Sequence, residues 1–163
     1  MKHPGPKEHL EYIGDMTVSF ALLEAAVQSI VWTLIGEGQR IGNIIKAELS
    51  FKNLRTLGLN LYQERYGEDS NFRTFNSLMK KVDELEDRRN QFTHSIWAVG
   101  KDSESLTRFK TTSKRNKGLH FQIEDVQTKD LADFVINIQK LYDEIQGIWI
   151  HLLDRGTPEA KIL

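Results

Sequence analysis

The chain has 163 residues, of which 39% are hydrophobic and 28% charged, and a formal net charge of −1. These values are typical of a soluble globular protein with one domain, large enough to bury a core without disulfides. A net charge near zero excludes a protein that coats nucleic acid by bulk electrostatics, so any RNA contact has to come from a local basic patch. The absence of cysteine excludes a disulfide framework and thiol chemistry and agrees with a cytoplasmic location.

The N-terminal segment shows neither of the patterns that direct a chain to a membrane. Charged residues follow Pro6 closely, so the apolar region of a signal peptide is missing. No stretch reaches the roughly 18 apolar residues that span a bilayer. We therefore expect no leader, no membrane span and a cytoplasmic protein.

Apolar residues spaced three or four apart predict a bundle of about five helices. The first runs from about Lys7 to Ile35, and the second from roughly residue 39 to residue 49. The third follows a cap at Ser50 and stops at residues 66–67. The fourth begins at residue 69 or 70, and the last begins at Thr128 and closes at Gly156 and Pro158. The fold class is all-α, in a single domain covering residues 1–163.

Residues 98–127 interrupt the helical pattern. Two short segments, 106–111 and 119–123, alternate apolar and polar residues across a polar link, which predicts a β-hairpin or a long structured loop inserted before the last helix. From residue 101 to residue 120 the six Lys and Arg outnumber Asp102 and Glu104 by four. One interpretation is a solvated tip, and the other is an arm that contacts RNA phosphates. The RNA-binding residues of that arm are Arg108, Lys110, Lys114, Arg115 and Lys117.

The fourth helix breaks its own pattern at one position. Its apolar stripe should include position 89, which is an arginine, and a guanidinium on a core-facing stripe is costly unless something pairs with it. His94 follows five residues later, and histidine is the side chain best suited to proton transfer near neutral pH. The residues that define the stripe are Phe72, Phe75, Leu78, Val82, Leu85, Phe92 and Ile96.

Arg89, the following Asn90 and His94 resemble the R-x4-6-H motif of HEPN domains, an all-α family with many metal-independent endoribonucleases. The specific match is confined to residues 89–94, although the helical layout is similar over most of the chain. The resemblance implies a homodimer in which both motifs line one cleft, and a role as a toxin or in antiviral defence. It also implies RNA as substrate, with an antitoxin as a possible protein partner.

The motif contains a chemically sufficient set for cutting RNA without a metal. The 2′-hydroxyl of RNA attacks the adjacent phosphorus, and this step needs proton transfer and positive charge on the phosphoryl oxygens. Histidine, with an unperturbed pKa of about 6.5, transfers protons near neutrality, and arginine offers a fork of donors that matches phosphate. We therefore assign proton transfer to His94 and charge stabilisation to Arg89.

Residues five apart on an ideal helix differ by about 140° in azimuth, so Arg89 and His94 do not share a face. Either the helix ends or distorts near His94, or the site is assembled across a two-fold axis. Asn90 lies four residues before His94, on its face, and is assigned to hydrogen-bond the imidazole or a phosphate. Glu24, in the first helix, is interpreted either as a solvated boundary residue or as an ion-pair partner that supports Arg89. Arg88 is explained by an i,i+4 pair with Glu84.

Two other functions stay open. The runner-up is a non-catalytic HEPN-like module that binds a partner, as an antitoxin, immunity protein or scaffold does, with Arg89 as a buried structural residue. The third is a helical dimerisation domain without a ligand. The remaining histidines show no metal-ligand spacing and the chain has no glycine-rich phosphate loop, so we expect no metal and no cofactor.

Overall fold

In a computed structural model of the chain, residues 5–36, 39–102, 105–114 and 118–156 are described. Over these ranges the chain is mainly helical, with a small antiparallel sheet before the last helix, which confirms the predicted layout. The elements are α1 (Lys7–Ile35), α2 (Gln39–Glu48), α3 (Phe51–Tyr66), α4 (Ser70–Thr93), β1 (Ile96–Val99), β2 (Ser105–Lys114), β3 (Gly118–Gln127) and α5 (Thr128–Arg155).

The helix ends follow from capping chemistry. The hydroxyl of Ser50 accepts a hydrogen bond from the backbone N–H of Asn53 at 3.2 Å, which satisfies a donor that the first turn of α3 leaves open. Gly36 and Gly156 follow α1 and α5 with φ of 75° and 70°. Because only glycine enters this left-handed region at low cost, these two positions end their helices. Pro158, the other predicted stop, lies outside the described residues.

The chain divides into two compact units. The first consists of Met1–Ser19 with Leu85–Ile138, and the second of Phe20–Glu84 with Gln139–Leu163. The candidate residues Arg89, Asn90 and His94 all belong to the first unit, together with the whole sheet.

In the first unit the three strands form a meander in the order β1-β2-β3. Cross-strand register aligns Trp97 with Arg108 and Arg108 with Glu124. Since side chains alternate between the two faces of a sheet, these three residues point to one face, together with the fully buried Leu106 and Val126. The inward face of the sheet therefore carries an ion pair as well as apolar residues.

In the second unit an aromatic cluster surrounds Tyr62. Its ring lies 5.8 Å from that of Phe75 and 5.9 Å from that of Phe72, between centroids. The Tyr62 hydroxyl donates to Asp69 at 3.3 Å and accepts from Arg155 at 3.2 Å, so its polar end is satisfied. The buried apolar residues of this unit include Phe20, Leu23, Val27, Ile30, Leu34, Leu54, Leu78, Val82, Leu141, Ile145 and Leu152.

The helical spacing of apolar residues predicted Ile96 on the stripe of the fourth helix, and this prediction was wrong. α4 ends at Thr93, and Ile96 opens β1 with 75% of its surface exposed. An isoleucine four residues after Phe92 fits helical spacing, but it also fits the start of a short β-strand, for which β-branched residues are favoured. The sheet therefore has three strands where a hairpin was predicted.

α1 is long and apolar enough to span a membrane by length and composition alone. Leu23, Val27 and Ile30 of this helix are fully buried in the second unit. No other helix in the described part of the chain meets this criterion.

Candidate functional site

The end of α4 presents His94 to solvent. The last helical residue is Thr93, and the backbone N–H of His94 still donates to the carbonyl of Asn90 at 3.1 Å. His94 is exposed and lies in the two-residue connection between α4 and β1. The predicted end of the helix near His94 is therefore confirmed, and the azimuth of an ideal helix no longer fixes the direction of its side chain.

Arg89 and Asn90 lie one turn earlier, still within α4. Both are half-buried, and the carbonyl of Arg89 accepts a hydrogen bond from the hydroxyl of Thr93 at 3.0 Å. The structure therefore places all three motif residues at the C-terminal end of one helix, with the histidine most exposed.

The connection next to His94 is held by a buried arginine. Arg108 of β2 is 3% exposed and donates to Glu124 of β3 through Nε at 3.0 Å and Nη2 at 2.5 Å. Its Nη1 donates to the hydroxyl of Ser95 at 3.1 Å, and that hydroxyl donates to the carbonyl of Gln91. Arg108 therefore ties the sheet to the residue that follows His94, with its charge compensated by Glu124.

Arg88 completes this cluster. Its Nη1 and Nη2 donate to the two carboxylate oxygens of Glu124, at 3.0 and 2.6 Å, and Nη1 also donates to Oε1 of Gln91 at 3.2 Å. The predicted explanation of Arg88 by a pair with Glu84 was wrong, because a bidentate pair with a strand residue takes its place. We call Arg88, Gln91, Ser95, Arg108 and Glu124 the arginine cluster.

The charge of Glu124 is strongly stabilised by its position. Hydrogen bonds from Arg88, and then from Arg108, lower the pKa of Glu124 to about 2, although partial burial by itself would raise this pKa. The cluster has two guanidinium groups and one carboxylate, so it carries one net positive charge beside the connection that holds His94.

Aromatic packing around Phe92 stabilises the end of α4 and the start of β1. The guanidinium of Arg88 lies 4.3 Å from the centroid of the Phe92 ring, a cation–π contact. Phe92 stacks on Trp97 at 6.1 Å and meets Phe134 edge-on at 5.3 Å. The indole N–H of Trp97 donates to the carbonyl of Phe92 at 3.1 Å, which fixes the chain on both sides of His94.

The predicted basic arm is placed only in part. Arg108 belongs to the arginine cluster and does not present its guanidinium to solvent. Lys110 is half-buried in β2, and Lys114 ends that strand. Arg115 and Lys117 lie outside the described residues. Of the five residues predicted to bind RNA, Arg108 therefore has a structural role in the arginine cluster.

Glu24 lies in α1 and is half-buried. Its predicted pairing with Arg89 stays a prediction.

An open cleft of about 300 Å³ lies beside the arginine cluster and does not include Arg89 or His94. Its wall carries three carboxylates against one arginine, an arrangement that disfavours an RNA phosphate. The lining residues are Arg88, Phe92, Glu124, Asp130, Asp133, Phe134 and Asn137. Among the residues that the structure describes, no group of three histidine or carboxylate side chains is arranged to hold a metal ion.

Comparison of the chain with protein-family models, with curated proteins and with solved structures finds no match.

Proposed function

We propose that this protein is a metal-independent endoribonuclease of the HEPN type, with His94 and Arg89 as its catalytic residues. The observation that carries the proposal is the exposure of His94 at the point where α4 ends, one turn after Arg89 and Asn90. A proton-transfer group has to reach its substrate, and a histidine sealed in the core cannot. Arg89 is half-buried, so part of its side chain stays at the surface, where a phosphate can approach it.

The reaction conserves atoms and charge without a metal. The 2′-oxygen forms a bond to phosphorus as its proton leaves to a base, and the bond from phosphorus to the 5′-oxygen breaks as that oxygen receives a proton. The products are a 2′,3′-cyclic phosphate and a 5′-hydroxyl. His94 performs one of the two proton transfers, Arg89 neutralises the phosphoryl oxygens, and Asn90 orients the imidazole or a phosphate oxygen.

A homodimer is part of the proposal, because the second copy of the motif then supplies the other proton transfer. Ile150 and Leu153 are exposed one turn apart on α5, within the second unit. Apolar residues at this spacing form a stripe that suits a partner helix. A cytoplasmic toxin or defence effector, with a protein antitoxin as partner, is the biological setting that we propose.

The test is cleavage of a labelled mixed-sequence RNA in the presence of EDTA, by the wild type and by His94→Ala. We expect the wild type to cleave and the variant to lose at least 100-fold in rate, the range that one acid–base group contributes. His151→Ala is the matched control, because His151 is also exposed but binds Asn71. Equal cleavage by the wild type and His94→Ala, or none by either folded protein, would favour the non-catalytic binding module.

A further inference from the structure

A cleft of about 160 Å³ lies between α3 and α4, within the second unit, and we call it the α3–α4 cleft. α3 lines it with positions 52, 55, 56 and 59, and α4 with positions 76, 79, 80 and 83. Both sets repeat the spacing of three, four and seven residues, so a single face of each helix borders the cleft. Arg89 and His94 belong to the first unit, and the proposed ribonuclease chemistry does not use this cleft.

Two lysines give the α3–α4 cleft its free positive charge. Lys52 of α3 and Lys80 of α4 line the cleft from its two sides, and both are exposed. Neither ammonium group forms an ion pair or a hydrogen bond with any of the residues that the structure describes. The side-chain amide of Asn76 also lines the cleft, is half-buried and makes no hydrogen bond within the described ranges. The cleft therefore presents three groups whose N–H donors are unused.

A buried arginine adds a third positive charge to the same cleft. Arg55 is 4% exposed, and its Nη2 donates to the carboxylate of Asp83. Its guanidinium lies 4.8 Å from the centroid of the Phe51 ring, so a carboxylate and a ring together hold it in place. The Asp83 side chain is 58% exposed, and water screens its charge more than that of the buried guanidinium. With three cations against one carboxylate along its walls, the cleft favours an anion.

The charges that line the cleft indicate the charge of its ligand. Arg55 is already paired with Asp83, so the two free ammonium groups determine how much negative charge the ligand needs. A phosphate monoester carries about −1.5 to −2 at pH 7 and balances both lysines, whereas a single carboxylate balances only one of them. Each phosphate oxygen accepts charge-assisted hydrogen bonds from ammonium groups. A phosphate monoester therefore matches the cleft better than a monocarboxylate does.

The size of the cleft and its remaining walls indicate what the phosphate is attached to. Pockets for drug-sized ligands and cofactors occupy roughly 300–1,000 Å³, so a cleft of about 160 Å³ is too small for a nucleotide. Leu59 and the buried Met79 contribute apolar surface beside the polar groups. Inorganic phosphate leaves that surface in water, whereas an ester with a few carbon atoms covers it.

We propose that the α3–α4 cleft binds a small phosphate monoester, with Lys52 and Lys80 holding the phosphate from the two helices. Asn76 donates a hydrogen bond to a phosphate oxygen, and Leu59 and Met79 contact the carbon chain of the ester. This binding site goes beyond the proposed ribonuclease function and does not depend on it.

The test titrates ethyl phosphate and inorganic phosphate into the full-length protein by isothermal titration calorimetry, at pH 7.5 and constant ionic strength. We expect saturable binding of ethyl phosphate that is about 4-fold tighter than that of inorganic phosphate, the gain expected from burying one carbon. Lys52→Gln and Lys80→Gln should each weaken binding of ethyl phosphate by about 10-fold or more, because each removes a charge-assisted hydrogen bond. Lys46→Gln, at an exposed lysine of α2 outside the cleft, is the control and should bind normally.

Two further measurements separate the loss of a charge from the loss of the fold. Lys52→Arg keeps the charge and should retain most of the affinity for ethyl phosphate. Affinity of the wild type should fall between pH 7.5 and pH 5, because the ester takes up its second proton near pH 6. His94→Ala should bind ethyl phosphate as the wild type does, so this test stands whether or not the protein cleaves RNA.

Four results would overturn the proposed site. They are no saturable binding of ethyl phosphate by the folded wild type, and unchanged affinity in both Lys52→Gln and Lys80→Gln. Equal weakening by Lys46→Gln would show that surface charge attracts the ester without a defined site. Tighter binding of inorganic phosphate than of ethyl phosphate would exclude a monoester as the ligand.

Discussion

Glu124→Gln tests the arginine cluster directly. The substitution keeps the shape of the side chain and removes the one negative charge that Arg88 and Arg108 share. Arg108 is 3% exposed, so its guanidinium would be left buried without a counter-charge, with only neutral acceptors such as Ser95, Gln91 and the new amide oxygen. A buried charge without a counter-charge is costly, and we therefore expect a clear loss of stability.

The size of this stability loss follows from the lowered pKa of the Glu124 carboxylate. A pKa lowered from 4.5 to about 2 corresponds to about 3 kcal/mol of preference for the charged form in the folded state. The Glu124 side chain is 35% exposed, and screening by solvent reduces its contribution to roughly 1–2 kcal/mol. Leaving Arg108 uncompensated adds to this loss, so we expect Glu124→Gln to lower the free energy of unfolding by about 2–4 kcal/mol at pH 7.

The assay is urea unfolding followed by circular dichroism, repeated from pH 7 to pH 2. Because the pKa of Glu124 is lowered on folding, its contribution is complete above about pH 4.5 and is lost as the pH falls toward 2. The difference between wild type and variant should therefore shrink over that interval. Asp133→Asn, at an exposed carboxylate of the same unit, is the control and should change little. A difference below about 0.5 kcal/mol, or one independent of pH, would show that Glu124 does not compensate the buried guanidinium of Arg108.

Three further predictions concern other parts of the chain. Burial raises the pKa of Tyr62 to about 12, so the wild type should lose stability as the pH rises from 10 to 12. Tyr62→Phe should be less stable than the wild type by about 1 kcal/mol at pH 7. Thermal melts should show that this difference in stability narrows between pH 10 and pH 12. Ser50→Ala should cost about 1 kcal/mol in urea unfolding through loss of the α3 cap, and a cost near zero would contradict the capping role. Arg89→Lys should lower kcat of RNA cleavage by at least about 10-fold, because lysine lacks the fork of donors that matches phosphate. Arg88→Lys is the control and should keep its kcat, because Arg88 is paired with Glu124. Equal losses of kcat in the two variants would contradict the catalytic role of Arg89.

The helices were predictable because their signals are local. The bounds of α1, Lys7–Ile35, agree with the apolar spacing and with Gly36 at its end. α3 begins after the cap at Ser50, as its sequence indicated. Each of these signals lies within a few residues of the boundary that it sets, so no knowledge of tertiary contacts is required.

The arginine cluster was not predicted because its contacts are distant in sequence. Arg88 and Glu124 are 36 positions apart, and local spacing offered Glu84 as a simpler partner. One signal was available: Arg108 and Glu124 are equally far from residue 116, so a symmetric hairpin opposes them. β1 was missed because it has only four residues, too few to establish an alternating pattern.

The polarity of the sheet was equally hidden in the sequence. The alternation of Phe121 and Ile123 with polar residues suggests that the apolar positions face inward. The structure has the opposite arrangement, because the ion pair between Arg108 and Glu124 takes the inward positions. A pattern of period two identifies two faces, but the choice of the buried face depends on contacts that are not local.

Attack by a 2′-hydroxyl with assistance from His94 is best tested on a substrate that contains a single 2′-hydroxyl. A DNA oligonucleotide with a single ribonucleotide is incubated with the protein and EDTA, and the products are weighed by mass spectrometry. We expect the wild type to cut once, directly 3′ of the ribonucleotide, with a 2′,3′-cyclic phosphate on one product and a 5′-hydroxyl on the other. His94→Ala should leave the oligonucleotide intact. Cuts at deoxynucleotides or products with a 5′-phosphate would contradict attack by the 2′-hydroxyl. Cleavage that occurs only after a divalent metal is added would contradict metal independence.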